Sequence, residues 1–314
     1  MAVPDRRVTN EELSQRVDTS DAWIVERTGI RERRVAAEGE TTASLAIEAG
    51  AAAIKRADLS PSDIGCCIVA TCTPEQPMPP TSSFVQEALG LRCGAFDLDA
   101  ACSGFVYSLV IGASLVSTTG APVLVIGSET LSRITDPDDR STCVLFGDGA
   151  GAAVVQAADD ERGILSSFMK SDGTLAELLY RPGGGAKIPF DLAMLDDKSH
   201  LVKMAGPEVF KAAVRSMCEA AEQALKRAGV TSEDIDLLVP HQANNRIIEA
   251  TAKYAGIPME KVFVNVDRYG NMSSASVPVA LDEAREQGRI RDGSLVLMVA
   301  FGAGFTWAAN VVRM

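Results

Sequence analysis

With 314 residues, 46% hydrophobic and only 5% aromatic, the chain is long enough for two α/β halves whose cores pack small side chains closely. A net charge of −12 disfavours nonspecific nucleic-acid binding and obliges any acidic partner to find a local basic patch. No apolar run reads as long enough to span a bilayer, the first seven residues lack a signal peptide's apolar region, and an odd count of seven cysteines points to a reducing, cytoplasmic compartment.

Taken along the chain, Trp23 and Arg27 stand four apart on a short predicted helix, hence on one face, where a surface cation–π pair is the plain reading. An alanine-rich helix around Ala53–Arg56 leads through a turn into the apolar strand of 64–72. That strand and its exit hold Cys66, Cys67 and Cys72, which with Cys93, Cys143 and Cys218 read as small buried hydrophobes. No Cys-x-x-Cys pair exists, and no zinc ligand set is credible.

The next segment is different. A short strand is expected to reach Cys102, and Phe105 to Thr119 reads as a buried helix ending near Gly120, apolar on nearly every side. Cys102 then sits at a helix N-terminus, where the dipole can lower a thiol from about 8.5 to roughly 3.5–7.5. Its neighbours Ala100, Ala101, Ser103 and Gly104 are small enough to admit a substrate.

Further on, Val144-Leu145-Phe146 looks strand-like. Gly147-Asp148-Gly149-Ala150-Gly151-Ala152 loosely fits a dinucleotide fingerprint, but strand-like Ala153-Val154-Val155 follows it, so it reads as a tight turn between strands. The glycines of Arg181–Lys187 lack phosphate-loop spacing and read as a flexible surface loop.

The pattern Ala53–Ile64 returns at Ala224–Ile235, and Val144–Gly151 is echoed by Val299–Gly304. A repeat at half the chain length predicts two copies of one α/β unit, residues 1–161 and 162–314, with mixed sheets and helices shared between them.

The second copy holds one of only two histidines. His241 ends the predicted strand Ile235–Val239 and precedes an amphipathic helix from Asn245, with Asn244 as its N-cap. Strand-to-helix turns of this kind are where open α/β sheets place ligands. A third such turn follows strand-like Val262–Val266 and contains Asn271, with Pro278 tolerable only in the first turn of the next helix. The other histidine, His200, lies in a polar stretch. Each residue alone has a structural explanation; a thiol, an imidazole and an amide at three comparable turns make a candidate site.

These segments, with Asp18–Arg33, Ala100-Ala101-Cys102-Ser103-Gly104-Phe105, Phe146–Ala152, His241-Gln242-Ala243-Asn244, Gly270–Ser276 and Phe305-Thr306-Trp307, resemble the β-ketoacyl-acyl-carrier-protein synthase III family through nearly the whole chain. The resemblance implies a duplicated thiolase-type fold, an αβαβα sandwich of two mixed, five-stranded-type sheets. The apolar strand that opens this family, expected at the centre of the first sheet, has no counterpart here, which leads us to expect an upstream extension encoding it.

The resemblance also implies a homodimer and a Cys102–His241–Asn271 triad, with no metal and no cofactor, acyl-CoA being a substrate. Cys102 would take an acyl group from acyl-CoA and condense it with malonyl-acyl carrier protein, initiating fatty acid synthesis in the cytoplasm. Elongating relatives use two histidines, so the histidine count favours the initiating class. The backbone N–H groups of Cys102 and Ala303 would form the oxyanion hole. Thr19, Trp23, Arg27, Arg140, Gly206, Phe210 and Asn244 would bind CoA, Met78 would close the partner's acyl channel, and Lys211 and Arg246 would meet the carrier protein. Ala303 departs from the family's usual glycine and narrows the pocket by a methyl. Neither nucleic acid nor a membrane is an expected partner. Three alternatives stay open: a priming ketosynthase of a polyketide pathway, a CoA-only type III polyketide synthase-like enzyme, and an inactive ketosynthase subunit, the last opposed by the retained Cys102.

Overall fold

The computed structural model describes all of residues 1–314. Arg7–Thr9 (β1) and Glu32–Arg34 (β2) form an antiparallel ribbon, with Asn10–Ser14 (α1) and Asp21–Thr28 (α2) between them in sequence. The first sheet is built from Cys66–Ala70 (β3), Gly94–Leu98 (β4), Val123–Thr130 (β5) and Asp148–Val155 (β6), in the order β4–β3–β5–β6 with only β6 antiparallel. The second uses Gly163–Ser171 (β7), Leu237–Pro240 (β10), Leu295–Gly302 (β11) and Thr306–Arg313 (β12), in the order β10–β11–β12–β7. Between them in sequence, Leu179–Tyr180 (β8) pairs with Lys203–Met204 (β9).

Five layers result. Thr42–Arg56 (α3) and Thr81–Ala88 (α4) cover the outer face of the first sheet through Ala46, Ile54 and Val85. Gly206–Ala228 (α7) and Asn245–Ala255 (α8) cover the second, packing Met217, Ala221 and Ile248 on it. Gly104–Thr119 (α5) and Ser276–Glu286 (α10) lie between the sheets, where Phe105, Val106, Leu109, Val277 and Ala280 touch residues of both. Having a sheet on either side is why α5 is apolar around most of its circumference; each large side chain buried there contributes about 1.5–3 kcal/mol. Single turns Met194–Asp197 (α6) and Val266–Tyr269 (α9) complete the set.

The structure departs from the sequence reading in several places. The run Ala101–Thr119 is long and apolar enough to cross a membrane by composition alone, but it is the core helix of the middle layer. The strand before Cys102 stops at Leu98. The Val144–Phe146 segment is turn ending in a single bridge between Phe146 and Asn271. Val262–Val266 gives a bridge at Val262 and then α9, because Asn265 and Val266 donate their N–H groups to the Gln242 side chain instead of a neighbouring strand. Gly147–Ala152 is not a turn between strands: Gly149 and Gly151 belong to β6. They lack side chains because Met272 Sδ and the Pro278–Val279 backbone would stand 2.7–2.9 Å from a Cβ there.

Each sheet has four strands rather than five, the fifth place being held by one bridge: Val262 beside Leu238 in the second sheet, and Ala2 beside Ala150 in the first. The place of the opening strand also differs from expectation. Its counterpart in the second copy, β7, is an edge strand antiparallel to β12, not a central one.

Candidate active site

Cys102 is the middle residue of a 3-10 turn, Ala101–Ser103, that feeds α5. Ala101 takes a left-handed φ of +44°, a strained conformation for a residue with a side chain. The turn is held by Asp99, which accepts from Ala101 N at 3.1 Å, and by Ser103, whose hydroxyl reaches the Ala100 carbonyl at 2.8 Å. Gly302, at the end of β11, comes so close that a Cβ would lie 2.6 Å from Cys102 N. Both copies therefore meet at the Cys102 turn.

His241 follows β10 directly, its N–H donating to the Val299 carbonyl at 2.7 Å. Gln242 fixes this turn by donating to Pro240 and Phe263 carbonyls and accepting from Asn265 and Val266. The imidazole is buried and its Nδ1 has no partner. Burial pushes its pKa down to about 3, so the ring is neutral at physiological pH.

Asn271 is fixed by backbone bonds to Leu145 and Gly147. Its Oδ1 accepts from Ser273 N at 2.8 Å, which leaves Nδ2 as the free donor. The Cys102 thiol is pushed up to about 12, by burial first, and a hydrogen bond from Ser273 opposes the shift. The helix N-terminus does not leave a resting thiolate, contrary to the sequence expectation.

Two cavities meet at Cys102. One, of about 540 Å³, holds Cys102, His241 and Asn271 together at its buried end. Trp23, Arg27, Arg140, Gly206, Phe210 and Asn244 line its remainder, with Lys211 and Arg246. Trp23 lies between two guanidinium groups, Arg27 at 4.8 Å and Arg140 at 4.9 Å from the ring centre. Helix α2 is docked on α8 by Asn244, which caps α8 through Arg246 N and donates to the Arg27 carbonyl. Thr19 does not line this cavity; its hydroxyl is buried without a partner. Ala303 lies on the other cavity, of about 530 Å³, whose apolar wall includes Leu131, Ile134, Leu179 and Val202. Met78 lines neither and is 83% exposed. Sequence reasoning missed Cys72, Ser273 and Glu129: the first two line this second cavity, and Glu129 is buried behind them. A glutamate inside the apolar run Val123–Thr130 was the available signal.

A cysteine between two stacked copies, sharing one cavity with an imidazole and an amide, is an arrangement that fits a thiolase-fold condensing enzyme. Residues 96–173 match the family model described as 3-oxoacyl-[acyl-carrier-protein] synthase III, and residues 225–314 match the model of its C-terminal part. The β-ketoacyl-[acyl-carrier-protein] synthase III of Symbiobacterium thermophilum is 52% identical, over 100% of this chain and 96% of that protein. The crystal structure of 3-oxoacyl-[acyl-carrier-protein] synthase III from Aquifex aeolicus VF5 superposes with a TM-score of 0.93 at 46% identity, covering 100% of this chain and 97% of that one. The priming β-ketosynthase of the R1128 polyketide pathway gives a TM-score of 0.92 at 37% identity, covering 99% and 93%. The chain belongs to the β-ketoacyl-acyl-carrier-protein synthase III family and is an acyltransferase, a condensing enzyme that initiates fatty acid synthesis.

Proposed function

We propose that Cys102 takes the acyl group of an acyl-CoA and passes it to malonyl-acyl carrier protein, giving 3-oxoacyl-acyl carrier protein. The observation that carries this reading is the convergence of Cys102, His241 and Asn271 at the buried end of one cavity whose open part presents Trp23, Arg27 and Arg140. An aromatic ring flanked by exposed cations suits an adenine and its phosphates.

The Cys102 sulfur attacks the thioester carbonyl, and the N–H groups of Cys102 and Ala303 hold the oxyanion. CoA departs as a thiol carrying the proton that Cys102 gives up. One thioester and one thiol replace another pair, so the transfer balances in protons. The acyl chain lies along the apolar cavity beyond Cys102. Malonyl-acyl carrier protein enters past the exposed Lys211 and Arg246 and puts its thioester carbonyl between His241 Nε2–H and Asn271 Nδ2–H. Loss of CO₂ forms an enolate held by these two donors; its carbon attacks the acyl-cysteine carbonyl, the C–S bond breaks, and the released Cys102 sulfur takes up a proton. Decarboxylation supplies the carbanion, so no base is needed to deprotonate the malonyl carbon.

Acetyl-CoA labelled in the acyl group should load wild-type enzyme on a Cys102 peptide and fail to load Cys102→Ser, because serine has no adjacent base strong enough to ionise it. Label appearing on the serine variant, or on Cys72 or Cys143, would remove Cys102 from the role.

The enzyme works as a homodimer, a reading supported by the exposure of Met78, Phe190 and Leu192 at 83%, 69% and 73%. Met78 then closes the partner's acyl cavity. A methionine moves aside more readily than a ring, so Met78→Phe should shift turnover from isobutyryl-CoA toward acetyl-CoA. An unchanged ratio would exclude this loop from starter selection.

A further inference from the structure

Glu129, at the end of β5, is fully buried and forms no ion pair, yet it is surrounded by donors. Thr73 Oγ1 reaches Oε2 at 2.6 Å, Thr71 Oγ1 at 3.1 Å and Cys72 N at 3.2 Å. The Cys72 thiol lies 3.5 Å from both oxygens. On the other side, Ser274 Oγ stands 2.9 Å from Oε1 and 2.8 Å from the Ala70 carbonyl oxygen. A serine hydroxyl has one hydrogen. Were Glu129 ionised, both of those neighbours would be acceptors, and one of two close oxygen–oxygen contacts would have no hydrogen in it. A proton on Oε1 removes the conflict: Oε1–H donates to Ser274, and Ser274 donates to Ala70. The Oε2 side is already consistent, since Thr73 Oγ1 accepts from Thr130 N and so has its own hydrogen free for Glu129.

This cluster ties three segments that surround the nucleophile: the exit of β3 with Cys72, the end of β5, and the Asn271–Ser274 turn. Ser273 stands in that turn at a strained φ of +46°, with its N–H on Asn271 Oδ1 and its hydroxyl against Cys72 and Cys102. Gly127 lets the turn come close, for a Cβ there would meet the Ser274 carbonyl oxygen at 2.3 Å. The other ionisable groups near Glu129 are Cys72 and Cys102, with Asp99 near both thiols, while Asp148, opposite Thr130 on β6, is engaged by Ser132 and Ala36. None of these is a cation that would favour a carboxylate.

We propose that Glu129 is a positioning residue acting as a neutral carboxylic acid: through Ser274 it fixes the turn that aims Asn271 and Ser273, and it adds no negative charge beside Cys102. Burial shifts its titration upward, in agreement with this state. Buried carboxyl groups kept protonated so that they can donate are known chemistry. The role rests on Cys102 being the acylated residue, as proposed above.

The test compares Glu129→Gln, which keeps a donor for Ser274 and an acceptor for Thr71 and Thr73, with Glu129→Ala. Acyl transfer should fall at least about tenfold in the alanine variant and return to within about threefold of wild type in the glutamine variant. The infrared difference spectrum between wild type and Glu129→Gln should contain the carbonyl stretch of a protonated carboxylic acid. Because the folded-state pKa is raised, wild-type stability is fully present below the ordinary glutamate value and is lost as pH rises toward the folded value. The thermal midpoint of Glu129→Gln should therefore gain on wild type between pH 4.5 and 8. No protonated-acid band, a flat or reversed midpoint difference, or a glutamine variant as slow as alanine would overturn the proposal. The spectrum and the midpoints do not depend on which cysteine is acylated, so failure of that reading is distinguishable from failure of this one.

Discussion

Burial holds His241 neutral, and a neutral imidazole in this tautomeric setting has one N–H to give. Its depressed folded pKa means the unfolded chain binds the proton first as pH falls. Stability linked to His241 is thus present above about 6.5 and lost as pH drops toward 3, at up to about 1.4 kcal/mol per pH unit. In urea unfolding between pH 8 and pH 5, His241→Gln should lack this acid loss; parallel wild-type and variant curves would contradict a buried neutral ring. The variant should still acquire the acyl group but condense slowly. His241 and Asn271 were legible because histidine is scarce and both residues follow recognisable turns. Glu129 was not, since its role comes from Ser274, Thr71 and Thr73, brought together from segments up to 203 positions apart.

At the scale of elements, the helix boundaries carried local chemistry that sequence exposes: Asn244 caps α8 and Gly120 ends α5 with a φ of +74°. The turns around Cys102 carried less, because their shape is imposed by contacts between the copies. Gly302 shows this. Its missing side chain matters only because Cys102 N, Ala100 O and Ser103 N crowd it at 2.6–3.0 Å from a Cβ position. These are backbone atoms and cannot swing away, so Gly302→Ala should destabilise the enzyme by about 1–3 kcal/mol. It should also cut acyl transfer more than about tenfold, by moving an oxyanion donor. Gly94→Ala, with open space around it, is the control. Intact-protein mass spectrometry after acetyl-CoA addition and a thermal melt give both numbers, and normal loading by Gly302→Ala would mean that the two copies can slide without harming the site.

At the scale of the molecule, duplication explains both what the sequence revealed and what it hid. The repeated helix–turn–strand pattern announces two copies, but it does not say in which order their strands pair, because pairing is decided by which faces the shared helices cover. The second sheet supplies the answer: β7 runs antiparallel to β12 at the edge over nearly its whole length. By the same symmetry, the place beside β6 accepts an antiparallel strand, and Ala2 already makes a double hydrogen bond there with Ala150, at 2.7 and 2.8 Å. Beyond Ala2 a groove of about 400 Å³ is walled by Met1, Ala49, Ala53, Pro278 and Leu281. Fusing a short apolar β-forming segment ahead of Met1 should extend this pairing along β6. The fusion removes the charge of the Met1 amine from its 2.7 Å bond to Asp282, a partly exposed contact, while each new ladder bond contributes about 0.5–1.5 kcal/mol. Four or five such bonds outweigh one ion pair, so the midpoint should rise by roughly 3–5 °C. A glycine-serine segment of equal length should give no rise. If the apolar fusion melted at the same temperature as that control, the edge of β6 would not be a strand-accepting position, and the correspondence between the two sheets would stop at Ala2.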